Sequence, residues 1–171
     1  METTSKLVRD ERRPDWPAAA VAGFAAGAVL MVLDLLWSVL VVGASPWANA
    51  HRIAGIVMGP PAADATAFDA VVVAVSLAAH YALGIAFGLL LAAVVTPFGL
   101  DAAPGTAATV GAVFGVALYF VNFHAIVQLF PWLAAIRGWA TLIGHVVFGV
   151  CAALLYWKLS RRPAAPGALT R

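Results

Sequence analysis

The sequence predicts an all-α integral membrane protein, a four-helix bundle built from two parallel-related hairpin repeats with both termini cytoplasmic (N-in/C-in). Three observations carry this expectation. Hydrophobic residues make up 63% of the 171 residues and charged residues only 11%, with a mean hydropathy of +0.94, so a soluble domain would have no polar faces to turn to water. Four apolar stretches are each long enough to cross a hydrocarbon core, which takes about 20 helical residues. The same motifs occur in the same order in both halves of the chain, the signature of a duplicated membrane unit. Ala, Leu and Gly dominate without strict two-residue alternation, which favours helices over barrel strands.

The elements follow in order. Residues 1–16 form a polar tail carrying Lys6, Arg9, Arg12 and Arg13. Helix one is expected at roughly 17–43, with Asp34 as its only charge; it is too long for a signal-peptide core and lacks a small-residue cleavage site before a hydrophilic segment. Segment 46–58 (PWANAHRIAGIVM) reads as an interfacial helix with Trp47, Ala50, Ile53 and Val57 towards lipid, ended by Gly59-Pro60-Pro61. Helices two, three and four are expected at roughly 68–95, 106–130 and 138–158, and residues 159–171 form a second tail. Eight of the ten basic residues lie in or beside the two tails, leaving only Arg52 and Arg137 elsewhere. By the positive-inside rule both tails of this multi-pass chain are expected to face the cytoplasm.

The repeat places polar residues at matching positions. Gly23, Gly27, Leu30 and Asp34 match Gly111, Gly115, Leu118 and Asn122 at an offset of 88; Pro46-Trp47 and Arg52 match Pro131-Trp132 and Arg137 at 85; His80 and Gly84 match His145 and Gly149 at 65. The fall from 85 to 65 means that the first hairpin carries 20 extra residues, enough for a cap over the outer mouth. At helical rise Asp34 and Asn122 both lie about 14 Å below the outer end, with His145 at about 12 Å and His80 at about 18 Å. His124 is shallower, on a different line with Phe120 and Ala117. The glycines at 23, 27, 84, 88, 111, 115 and 149 share helix faces with these polar groups, and such small-residue lines mark close helix contact in membranes. Asp34, His80, Asn122, His124 and His145 therefore form a candidate polar cluster in the outer half of the bilayer, with His51, Arg52 and Arg137 at its mouth.

Several chemistries fit this cluster. The leading expectation is a pocket that handles an ion, proton or small solute, since a carboxylate at mid-helix is more costly than packing requires. A structural, stress-related or accessory role is the alternative, with Asn, His and Asp hydrogen-bonding across helices to fix their register. A third reading is metal or haem binding, with His80, His145 and Asp34 as candidate ligands, although no local ligand motif supports it. No cofactor is implied outright. Cys151 is the single cysteine, which excludes an internal disulfide and any Cys-rich metal site. There is no GxSxG, Walker loop or HExxH, so no enzyme is expected. The net charge of +2 resides mainly in the tails and points to lipid headgroups rather than to nucleic acid. The glycine lines could also serve between two copies of the chain as a homodimer, or against another membrane protein.

Segments Ser45-Pro46-Trp47, His51-Arg52-Ile53, Val57-Met58-Gly59, Leu129-Phe130-Pro131-Trp132 and Gly144-His145-x2-Phe148-Gly149, with Asn122-Phe123 and Arg137-x-Trp139, carry a resemblance covering residues 18–158. The chain resembles small uncharacterised bacterial four-helix inner-membrane proteins, and its last two helices are more distantly similar to YagU-type inner-membrane proteins. Some of that set bear the label sodium:proline symporter, but such symporters are much longer bundles with broken helices at the sodium site. The resemblance implies topology and location and transfers no catalytic residue.

Overall fold

The computed structural model describes residues 13–161. Lys6, Arg9, Arg12, Arg162 and Arg171, on which most of the orientation argument rests, lie outside the described residues. The structure is all-helical: α1 (Trp16–Leu40), α2 (Ala48–Met58), α3 (Pro60–Ala63), α4 (Ala70–Val95), α5 (Pro104–Phe120) and α6 (Trp139–Leu159). Four segments, Trp16–Leu40, Ala70–Val95, Pro104–Gln128 and Trp139–Leu159, are long and apolar enough to cross a membrane. Together they form a multi-pass membrane bundle.

Local chemistry sets the helix ends. Asp15 caps α1 by accepting from the Ala18 amide at 3.0 Å, and Asp69 caps α4 by accepting from Val71 and Val72 at 2.8 and 3.1 Å. Each satisfies amides that would otherwise lack partners. Pro104 begins α5, where a missing N–H is harmless. Gly59 ends α2 at φ 89°, a left-handed conformation suited to glycine. The third apolar stretch is not the continuous α-helix expected over 106–130. Regular helix stops at Phe120, widens to a π-turn over Val121–Ala125, and passes through 3₁₀ turns at Ile126–Gln128 and Pro131–Ile136. The bulky run Tyr119-Phe120-Val121-Asn122-Phe123 occupies the change of winding, and Tyr119 and Phe123 pack with ring centroids 5.3 Å apart.

Helix α1 lies between α4 and α6, and α5 lies against α6, whereas α4 and α5 barely touch. Glycine makes the two hairpin seams. A Cβ on Gly23 would fall on the backbone of Gly84 and within 2.9 Å of the Gly88 Cα; one on Gly149 would fall on the Gly111 carbonyl and within 2.8 Å of the Gly115 amide. The proximal half of the bundle, towards residues 16, 95, 104 and 159, is packed dry by Ala19, Ala22, Ala26, Leu91, Ala152 and Tyr156 among others. Tyr156 ties that end together: its hydroxyl accepts from the Asp15 amide at 3.2 Å and bonds Thr96 Oγ1 at 2.8 Å. Large apolar side chains such as Phe24, Leu36, Leu90 and Val113 face outward, as a lipid-facing surface requires.

Because the seams bring backbone onto backbone, Gly23→Leu and Gly149→Leu should each destabilise the bundle by about 1–3 kcal/mol or more. Gly105→Ala, where nothing lies within 4 Å of the added carbon, should be neutral. Unfolding by SDS in mixed micelles measures all three.

Candidate functional site

The distal half of the bundle is hollow. A cavity of about 370 Å³ lies between α1, α4, the π-turn and α6, under α2; its wall includes Asp34, His80, Asn122, Thr141 and His145. A second cavity of about 250 Å³ lies between α1, α2 and α4, walled in part by Ser38, Asn49 and Ser76. Asp34, Ile53, His80 and Ile136 belong to both walls, so Asp34 and His80 stand at the boundary between the two spaces. The four principal polar residues read from the sequence thus converge on one cavity, each reaching it from a different helical segment.

Their bonds differ. His145 Nδ1 lies 2.8 Å from the Thr141 carbonyl and Nε2 lies 3.3 Å from Asn122 Nδ2. A carbonyl only accepts, so Nδ1 carries the proton and Nε2 accepts from the Asn122 amide, an arrangement that engages both ring nitrogens. The π-turn makes this reach available, for it places Asn122 and its neighbour Phe123 on the cavity wall together. Phe123 and Tyr119 enclose the imidazole, with ring centroids 5.5 and 6.0 Å away. His80 Nε2 donates to the Gly27 carbonyl at 2.9 Å, a contact possible because Gly27 has no side chain in the way. Asp34 is the exception. It makes no ion pair and no hydrogen bond among the described residues, and it faces α6 across Gly144, where an added Cβ would lie 3.8 Å from Oδ1. A charged group at the centre of a membrane helix costs roughly 2.5–3.5 kcal/mol on insertion scales.

Four expectations are corrected. His124 is not part of the cluster: it is exposed on the outside of the π-turn, its ring 5.2 Å from that of Phe120, because two residues beyond Asn122 it lies on the opposite side of the segment. His51 is not at an open mouth but buried, with Nδ1 2.8 Å from the Ala62 carbonyl and Nε2 2.7 Å from the Ala67 carbonyl, so it holds the α3 segment against α2. Arg52 bonds Asn49 Oδ1 at 2.8 Å and lines a separate space with Asp64 and Trp132, while Arg137 is exposed and lines none of the three cavities. Helix α2 does not turn Ala50 and Ile53 to lipid; both line the cavities, because the helix seats on α4 and closes the distal end of the hollow. Trp132 pins it there, donating from Nε1 to the Arg52 carbonyl at 3.0 Å. Trp132 is thus half-buried and bonded inward, a role that its hydropathy does not signal.

Among the described residues no group of three or more His, Cys, Asp or Glu side chains is placed to hold a metal ion. Ligation of metal or haem iron by His145 would mean giving up the bond to Asn122 or to Thr141. His80 and Asp34 line the same cavity but make up only two of a ligand set. No protein-family model, no curated protein and no solved structure matches the chain. The chemistry of the cavity is therefore the guide to function.

Asn122→Leu and His145→Leu should each destabilise the protein, with a coupling of about 0.6 kcal/mol, the average for interhelical hydrogen bonds in membranes. A double-mutant cycle of SDS unfolding tests this, and strict additivity would show that the pair does not interact. Trp132→Phe should cost about 1 kcal/mol and speed amide exchange in α2, measured by hydrogen–deuterium exchange.

Proposed function

We propose that this chain is a small inner-membrane protein that binds a small solute in a pocket with a few convergent polar groups in the outer half of its bundle. The observation that carries the reading is Asp34, a carboxylate opening onto two cavities without a protein partner among the described residues. A residue needed only for packing would be apolar there, and one needed only for register would be bonded, as Asn122 and His145 are. A volume of about 370 Å³, mostly apolar walls and a few convergent polar groups are the usual features of a small-molecule site.

The dry proximal half supports binding over a standing ion path, because Ala, Leu and Val close the way from the cavity to the terminal end. The distribution of Lys and Arg supports cytoplasmic termini, and the resemblance to YagU-type proteins supports the inner membrane. The matching glycine contacts of the α1–α4 and α5–α6 seams support descent from a duplicated hairpin. A structural role is favoured for the other polar groups by their own bonds: His80 to Gly27, and Asn122 through His145 to Thr141, fix helix register.

Native mass spectrometry of the protein released from nanodiscs tests the pocket. The wild type should carry a bound small molecule. Ile126→Trp, which fills the cavity, should lose it, and Val113→Trp, on an outward-facing position, should keep it. A wild type free of any adduct, and not stabilised by any fraction of a membrane extract, would leave the polar groups a structural role alone.

A further inference from the structure

We infer that the solute is a small lipophilic amine, an apolar body with one cationic nitrogen, and that it enters from the hydrocarbon between α4 and α5. This rests on the pocket reading above and adds charge and route to it.

The charge follows from the composition of the walls. Among the described residues Asp34 is the only Asp, Glu, Lys or Arg that lines either of the two larger cavities. The other polar side chains of the main cavity are bonded within the protein, His80 to Gly27, Thr141 to the Ile136 carbonyl, and Asn122 and His145 to one another. An anionic ligand would meet a carboxylate with no Lys or Arg on the wall, among the described residues, to offset it, whereas a cationic ligand completes an ion pair in a low-dielectric space. The remaining wall accepts an apolar body. Phe87 and Phe148 meet there edge to face with ring centroids 6.4 Å apart, adding aromatic surface that attracts a cation.

The route follows by elimination. The proximal half is packed, and α2 lies across the distal end. At the level of the main cavity glycine contact closes the α1–α4 seam, Gly27 on Gly84, and the α5–α6 seam, Gly115 on the His145 backbone, and α1 lies along α6; α1 and α4 part only beyond this level, around the second cavity. Helices α4 and α5, which both contribute to the cavity wall, barely touch. Leu83 on α4 and Val121 at the end of α5 both line the main cavity and are 40% and 48% exposed on the outside, so the wall is one side chain thick at that gap. A ligand already dissolved in the bilayer reaches Asp34 there without crossing water.

The full chain in nanodiscs is titrated with N,N-dimethyl-phenylbutylamine and with its neutral isostere, in which a C–H replaces the nitrogen, following intrinsic tryptophan fluorescence, to which Trp47 on the wall of the second cavity contributes. The amine should saturate the wild type and Asp34→Glu. Asp34→Asn should weaken it on the order of thirtyfold or more, the scale on which losing one partner of a buried charge pair weakens binding. The isostere should bind weakly and alike to wild type and Asp34→Asn. Leu83→Trp at the lip should slow association of the amine while thermal unfolding stays unchanged. Equal binding of amine and isostere, unaffected by Asp34→Asn, would overturn the amine inference and leave the pocket reading intact. Absence of binding by either probe to folded wild type would overturn the amine inference, and the adduct measurement would then decide the pocket reading separately. Unaltered association in Leu83→Trp would overturn the lateral route.

Discussion

The closest contact in the bundle is between backbones. Two helices in a membrane gain no hydrophobic free energy by leaving lipid for each other, so their association depends on van der Waals contact and hydrogen bonds. Glycines 23, 84 and 88 bring α1 onto α4, and glycines 111, 115 and 149 bring α5 onto α6. At these seams a single added methyl group meets main-chain atoms, which cannot turn aside as a side chain can. The rest of the molecule follows from that constraint. Helices drawn together on one face part on another: α4 and α5 are separated, and the distal half between them is empty enough to hold a ligand.

Close approach also decides what the polar groups do. The Gly27 carbonyl is within reach of His80 because α1 and α4 meet there, and His145 sits where Gly115 lets α5 press against its backbone. Matching motif positions nevertheless reach different ends. Asn122 stands in a π-turn and bonds His145, whereas Asp34 stands in regular helix and bonds nothing among the described residues. A membrane interior punishes an unsatisfied carboxylate, so the asymmetry sets Asp34 apart from the groups that hold the bundle together.

The two ends are closed by different means. The proximal end is tied by the Tyr156 hydroxyl and by Arg161, which reaches the carbonyls of Asp101 and Ala102 and lies over the Trp157 ring. The distal end is closed by α2, with Trp132 holding its Arg52 carbonyl and His51 gripping two carbonyls of the segment that follows. Backbone groups at the rim of a membrane protein need partners, and here side chains supply them. The hollow is thereby bounded at both ends while its side between α4 and α5 stays thin.

Much of this was legible in the chain. Hydropathy alone determined the four spans, because a bilayer admits only segments of a certain length and apolarity. Helical spacing put the glycines and Asp34, His80, Asn122 and His145 on inward faces at similar depth, because side chains four residues apart share a line. Spacing says which way a residue points but not which neighbour it meets. The π-turn at Asn122, the burial of His51, the inward face of α2 and the bond from Trp132 to Arg52 all depend on residues far away in sequence, or on a change of winding that no local period announces. Tertiary packing alone decided that three of the four convergent groups are bonded and that Asp34 is left open to the cavities, because partnership is a matter of distance between helices.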